Sequence, residues 1–181
     1  TCQIPRAGDY FVYDIDTESV VVTRDRAGEI RALFNFCRHR GARLCRESAG
    51  HAGKFVCPYH QWVYELDGRL LKTSRMGDDF DPSQFGLYPA HVRELDGLIF
   101  VNLADNPRSF DEAYEHIGSV IRPHHLARAK VAHVTSYDVA ANWKLVIENQ
   151  RECFHILSPS MAITAGISVS RVGGNAQIKA M

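Results

Sequence analysis

At 181 residues the chain has room for one good-sized domain, or for one domain and part of a second. An apolar share of 45% is enough for a real core, and 21 basic residues against 21 acidic ones leave no net charge, which argues against a general nucleic-acid-binding role. No apolar run approaches the length of a membrane span and residues 1–30 lack a signal-peptide pattern, so the expectation is a cytoplasmic protein with no membrane partner. In chain order, Tyr10–Tyr13, Ser19–Thr23 and Ile30–Phe36 are β-branched or aromatic and predict three short strands. Asp25-Arg26-Ala27-Gly28 supplies the turn between the second and third strands.

The third strand runs into Cys37-Arg38-His39-Arg40-Gly41, and 17 residues (40–56) separate His39 from the second segment, Cys57-Pro58-Tyr59-His60-Gln61-Trp62. Two Cys and two His in two short loops point to a metal site. A structural zinc site also uses this donor set, but its usual spacing gives two Cys and then two His. Here Cys and His alternate within each pair, which suits two loops that each give one ligand to each iron of a Rieske-type [2Fe–2S] centre. Swapping two anionic thiolates for imidazoles leaves such a cluster less negative, so its potential lies at roughly −150 to +300 mV, above that of all-Cys ferredoxins. A Cys37–Cys57 disulfide is the weakest reading. The five cysteines (2, 37, 45, 57 and 153) make no disulfide framework, and Cys45, without a partner at ligand spacing, reads as a packed thiol. Gly41 is expected to turn the backbone where a Cβ would clash.

Lys54-Phe55-Val56 predicts a strand that delivers the second loop, with Pro58 stiffening that loop. Trp62–Leu66 and Arg69–Leu71 flank Asp67-Gly68, a two-residue hairpin signal, and His91–Leu95 and Leu98–Leu103 straddle Asp96-Gly97, a second one. Residues 72–90 are polar and read as loop. Ser109-Phe110-Asp111-Glu112 reads as a capping box that opens a helix, stopped by Pro123, with His124 and His125 as solvated loop residues. Residues 131–139 alternate as a strand. Asn142 is a good N-cap, and a helix after it would place Glu148, Glu152 and His155 on one face. Glu-x-x-His alone is a weak signal, since most such pairs are ordinary contacts on a helix surface.

The loops at 37–41 and 57–62 resemble the Rieske domain of ring-hydroxylating and related Rieske non-haem iron oxygenases, whose usual form is Cys-x-His-Arg-Gly followed by Cys-x-Tyr-His-Gly-Trp. Asn142-Trp143-Lys144, Glu148-Asn149 and Glu152-x-x-His155 resemble the segment that opens the catalytic domain of the same enzymes. Gln61 in place of Gly, and Glu152 in place of the commoner Asp, resemble the branch that acts on quaternary ammonium compounds. The resemblance implies a [2Fe–2S] cluster on Cys37, His39, Cys57 and His60, and His155 as the first ligand of a mononuclear Fe(II) held by two His and one carboxylate. It makes Glu152 the acid bridging that His to a Rieske His, where a carboxylate can accept a hydrogen bond from each ring. It also implies a homotrimer in which the bridge crosses between subunits, a flavin- or ferredoxin-type NAD(P)H reductase as electron donor, and O₂ with a small-molecule substrate such as a betaine, choline or carnitine.

The fold expected is α+β: an all-β Rieske domain of antiparallel hairpins over residues 1–105, with cluster loops 37–42 and 57–62, then the start of a sheet-and-helix catalytic domain over residues 106–181. The family's second His stands five residues after the first, where this chain has Ser160, and no His, Asp or Glu occurs in residues 156–181. The catalytic domain is therefore expected to be incomplete, through a continuation past Met181 or through omitted stretches. The function expected is that of a terminal oxygenase component, which hydroxylates or N-demethylates its substrate. An aromatic ring-hydroxylating alpha subunit is the alternative within the family. A Rieske electron carrier would need only residues up to about 105, and a zinc-stabilised binding module would need no iron at all.

Overall fold

A computed structural model describes residues 1–15, 17–74, 76–77, 79–133, 139–142, 144–145, 148, 172–173 and 177–178. The chain divides into two compact units, Thr1–Tyr13 with Ser19–Lys130, and Asp14–Glu18 with Val131–Met181. Among the described residues nine strands precede the first α-helix: β1 (Asp9–Ile15), β2 (Glu18–Arg24), β3 (Ile30–Phe34), β4 (Ala49–His51), β5 (Phe55–Val56), β6 (Val63–Tyr64), β7 (Leu70–Lys72), β8 (Pro89–Leu95) and β9 (Leu98–Asn102). They form a six-stranded sheet in the order β4-β1-β2-β3-β8-β9 and a three-stranded sheet in the order β5-β6-β7.

The Val20-Val21-Val22 run shows why the central strand is apolar throughout. Successive side chains of a strand point to opposite faces. Val21 and Leu33 enter one core with Phe55, Trp62, Tyr64, Leu66 and Leu70, while Val20, Val22 and Ala32 enter a second with Ile4 and Ala90. Both faces of β2 are thus covered, and the alternation expected of a half-exposed strand is absent.

The turns differ in kind. Between β2 and β3, Gly28 (φ 87°) donates its N–H to Asp25 O, and Asp25 N–H donates to Glu29 O, a three-residue loop closed by a left-handed residue. Asp67-Gly68 makes the same turn instead of the two-residue hairpin its sequence suggests: Gly68 N–H donates to Glu65 O and Glu65 N–H to Arg69 O. Asp96-Gly97 is the two-residue turn, both residues having positive φ (44° and 94°) between the paired Leu95 and Leu98. Strand β3 ends at Phe34, earlier than expected, because Phe36 N–H folds back onto Phe34 O.

Helix α1 (Asp111–Ile121) forms, but the capping box does not close. Ser109 exchanges hydrogen bonds with Asp111, and Phe110 stands at the cap without a side-chain bond. A 3₁₀ turn at Arg122–His124 carries Pro123 and ends the helix, and His124 and His125 are exposed. Within residues 131–139, Val131–His133 form no strand, and residues 134–138 lie outside the described set. In the second unit Asn142 Oδ1 accepts from Lys144 N–H at 3.0 Å, and Lys144, Leu145 and Glu148 are helical. Two short paired strands, β10 (Val172–Gly173) and β11 (Gln177–Ile178), follow. Among the described residues no helix is long and apolar enough to cross a membrane.

Candidate metal centre

Both ligand loops are built as the same turn. In the first, Cys37 N–H donates to Ala42 O (2.8 Å) and Gly41 N–H to Cys37 O (2.9 Å); in the second, Cys57 N–H donates to Trp62 O (2.8 Å) and Gln61 N–H to Cys57 O (3.0 Å). Each turn needs a left-handed residue at its fifth position, supplied by Gly41 (φ 69°) and by Gln61 (φ 59°). No protein atom stands within 4 Å of a Cβ built on Gly41, so the glycine is required by backbone conformation and not by a clash with the protein. The hairpin of β5 and β6 presents the second loop. The first is fixed at its return by Asn35, whose amide accepts from Cys45 N–H (2.8 Å) and donates to Cys45 O (2.9 Å) and Ser19 Oγ (3.1 Å).

Cys37 and Cys57 are buried free thiols whose side chains interact with each other. Burial pushes the Cys37 thiol up, and a hydrogen bond with Tyr64 partly opposes this. A buried thiol that resists ionisation in this way becomes a thiolate when a metal takes the place of its proton. His39 and His60 stand together, ring centroids 4.6 Å apart at 69°, and His39 stacks on Trp62 at 4.9 Å and 8°. The Nδ1 atoms of both histidines are shielded from solvent, and that of His39 has no hydrogen-bond partner among the described residues. A buried polar nitrogen left this way costs about 1–3 kcal/mol, and a metal bond removes that cost.

Two thiols and two imidazoles suit a two-iron cluster better than a single ion. The two thiols meet each other and the two imidazoles meet each other, as two separate pairs. A [2Fe–2S] cluster takes its thiolates and its imidazoles as separate pairs. The donor set fits that group: Cys37 and Cys57 would supply its thiolates, and His39 and His60 its imidazoles. Cys45 lies in the core as expected, its thiol pushed up to about 12 by burial. Glu152 and His155 lie outside the described residues.

Two side chains that the motifs did not single out border the site. Tyr64, fully buried, places its hydroxyl 3.2 Å from Cys37 Sγ and accepts from Arg38 N–H at 3.1 Å. Its signal was present: Trp62, Tyr64 and Leu66 alternate through β6 and the residues flanking it, and all three are buried in the same core. Arg38 turns its guanidinium onto the Tyr88 ring (3.7 Å to the centroid) and donates to Gly86 O (2.9 Å), partners some 50 residues distant that no local pattern reveals.

Residues 1–86 match the Rieske [2Fe-2S] domain family, and residues 126–158 match the ring hydroxylating alpha subunit (catalytic domain) family. The chain is 47% identical over 156 residues to a glycine betaine monooxygenase oxygenase subunit of Pseudomonas aeruginosa, an alignment covering 86% of this chain and 36% of that relative. Among solved structures it resembles the quaternary ammonium Rieske monooxygenase CntA (TM-score 0.76, 27% identity, 84% of this chain and 43% of that one). It also resembles naphthalene 1,2-dioxygenase from a Rhodococcus species (TM-score 0.77, 30% identity, 93% and 40%). The chain therefore spans about a third of the curated relative's length and under half of each solved chain. Residues 1–86 thus form a Rieske [2Fe-2S] domain, and residues 126–158 match the catalytic domain of ring hydroxylating alpha subunits, the two parts found together in Rieske oxygenase alpha subunits.

Proposed function

We propose that the chain serves as part of a terminal oxygenase component that oxidises a quaternary ammonium compound, with residues 1–105 as its cluster domain and residues 106–181 belonging to its catalytic domain. The observation that carries the redox reading is the pair of adjacent imidazoles with buried Nδ1 atoms, set beside two buried thiols. A bound [2Fe–2S] cluster supplies one-electron storage at this position. Cys37 and Cys57 would hold it as thiolates and His39 and His60 as neutral imidazoles. With Nδ1 turned inward, each histidine keeps its Nε2–H for an outside acceptor. Glu152 is the proposed acceptor: its carboxylate would take one hydrogen bond from His60 and another from His155, fixing both rings. The structure of CntA gives insight into inter-subunit electron transfer, which supports placing such a bridge between subunits of an oligomer, a homotrimer in our reading. His155 would be one ligand of the mononuclear iron. A cytoplasmic NAD(P)H reductase would supply the two electrons that each turnover consumes.

The substrate class rests on the relative: 47% identity to a glycine betaine monooxygenase subunit exceeds the 34% to an anthranilate 1,2-dioxygenase subunit. Oxidation of an N-methyl carbon consumes one O₂ and two electrons with two protons. One oxygen atom enters the methyl group, the other leaves as water, and the hydroxymethyl product releases formaldehyde. The test is O₂ uptake and formaldehyde release by the complete enzyme with its reductase, offered glycine betaine, carnitine and anthranilate in turn. Turnover of a betaine with equimolar formaldehyde is expected. Turnover of anthranilate alone would move the enzyme to the aromatic branch.

A further inference from the structure

Arg38 stands between Cys37 and His39. Arg24 is held by the Ile4 and Gly28 carbonyls, but several other cations of the same unit pair with carboxylates: Arg31 with Asp25, Lys54 with Glu65, Arg69 with Asp67 and Arg93 with Asp111. Among the described residues Arg38 has no such partner. Its guanidinium is half-buried over the Tyr88 ring, lies 6.0 Å from the Phe85 ring centroid, and donates to Gly86 O at 2.9 Å. An aromatic face and a carbonyl hold a guanidinium in place but leave its full positive charge uncancelled. Phe85 in turn meets Trp62 edge-on at 6.0 Å, and Trp62 stacks on His39. The charge is thus linked to an imidazole of the centre through two packed aromatic rings, Phe85 and Trp62, in a setting that screens it less than water would.

We propose that Arg38 is a positioning residue whose fixed charge raises the reduction potential of the cluster. The proposal rests on the reading of Cys37, His39, Cys57 and His60 as its ligands. Reduction adds one electron and one negative charge to the centre, so a nearby fixed cation stabilises the reduced form more than the oxidised one. The side chain works apart from the backbone of the same residue, whose N–H supports the Tyr64 hydroxyl. A substitution at Arg38 keeps that N–H and therefore keeps the Tyr64 bond to Cys37.

The test compares Arg38→Gln, Arg38→Met and Tyr88→Leu in the full chain carrying its cluster. Midpoint potentials come from redox titration followed by circular dichroism and electron paramagnetic resonance, and melting temperatures are taken alongside. Both neutral variants are expected to keep the wild-type line shape and shift the potential downward. Tyr88→Leu keeps the charge and the Gly86 bond, so it is expected to lower the melting temperature while holding its potential near that of the wild type. An unchanged potential in Arg38→Gln, or an equal downward shift in Tyr88→Leu, overturns the proposal. So does a neutral variant that assembles no cluster, because Arg38 would then be a structural clamp. Failure of the ligand reading has a different signature: no cluster in the wild type, or a full cluster in Cys37→Ser.

Discussion

Tyr64 occupies a position where a single oxygen atom serves two neighbours. Arg38 N–H donates to it at 3.1 Å, which leaves the phenol proton for Cys37 Sγ at 3.2 Å once that sulfur is a thiolate. Burial keeps this proton on the phenol by raising its pKa. A hydrogen bond to a ligating sulfur favours the electron-rich, reduced cluster. Tyr64→Phe is therefore expected to retain the cluster, lower its potential in a redox titration, and cost about 1–2 kcal/mol through the orphaned Arg38 N–H. An unshifted potential would show that the hydroxyl only packs. The paired loops give a second prediction at this scale. A Cβ at position 41 meets open space, so Gly41→Ala is charged only the left-handed backbone, about 1 kcal/mol. Gln61→Gly relaxes the equivalent position of the other loop and should not destabilise. Denaturant unfolding of the two variants measures both, and a large loss in Gln61→Gly would mean that its side chain makes a contact the fold needs.

Turns and strand ends carry the next level of organisation, and Asp25 shows it best. Its carboxylate accepts from Ala27 N–H, Glu29 N–H and Arg31 Nε–H, all at 2.8–2.9 Å, and so closes the turn between β2 and β3. Burial alone would push this carboxyl up, but the Arg31 bond and the two amides outweigh it and hold it below the usual range. The folded state then binds this proton less readily than the unfolded chain. The stability it contributes is fully present above the unfolded value of about 4 and is lost as pH falls through the lower folded one. Asp25→Ala should cost about 2 kcal/mol at neutral pH and flatten the loss of stability below about pH 4, read from denaturant midpoints across pH. An unchanged acid limb would show that other carboxylates dominate it. At this scale the sequence was readable where residue type dictates backbone: the valine run, the glycines at turns, and Asn142 over its own Lys144 amide. It was not readable where geometry beyond the dipeptide decides. The two Asp-Gly pairs form different turns because Arg69 pairs with Glu65 whereas Leu98 pairs directly with Leu95. Strand β4, Ala49-Gly50-His51, has no apolar alternation to announce it and exists because β1 offers it an edge.

Across the molecule, the four proposed cluster ligands could be read from spacing, but their surroundings could not. Arg38, Tyr64, Gly86 and Tyr88 meet only because β3, β6 and the segment before β8 converge, and convergence of distant segments leaves no local trace. The same convergence places Cys37, Cys57, Trp62 and Tyr64 inside one apolar core with Val21, Leu33 and Phe55. The first loop leaves the six-stranded sheet and the second belongs to the three-stranded one, so a bound cluster cross-links the two sheets through that core. Joining positions 37 and 57 closes a loop of about 20 residues, a constraint on the unfolded chain worth roughly 3 kcal/mol in the chain-entropy account. For a chain of this size each kcal/mol moves the melting temperature by about 2–4 °C. Anaerobic removal of the cluster with a chelator and reductant is thus expected to lower the melting temperature by on the order of 10 °C, measured by calorimetry on the same preparation before and after stripping. Cys45 provides the control, since it lies in the same core with a thiol that binds no metal in this reading. Cys45→Ala should lose a little packing and keep two irons and two labile sulfides per chain, whereas Cys37→Ala should lose the cluster together with the whole stabilisation. If stripped and loaded protein melt together, the sheets are held by side-chain packing alone, and the cluster is a passenger in the fold.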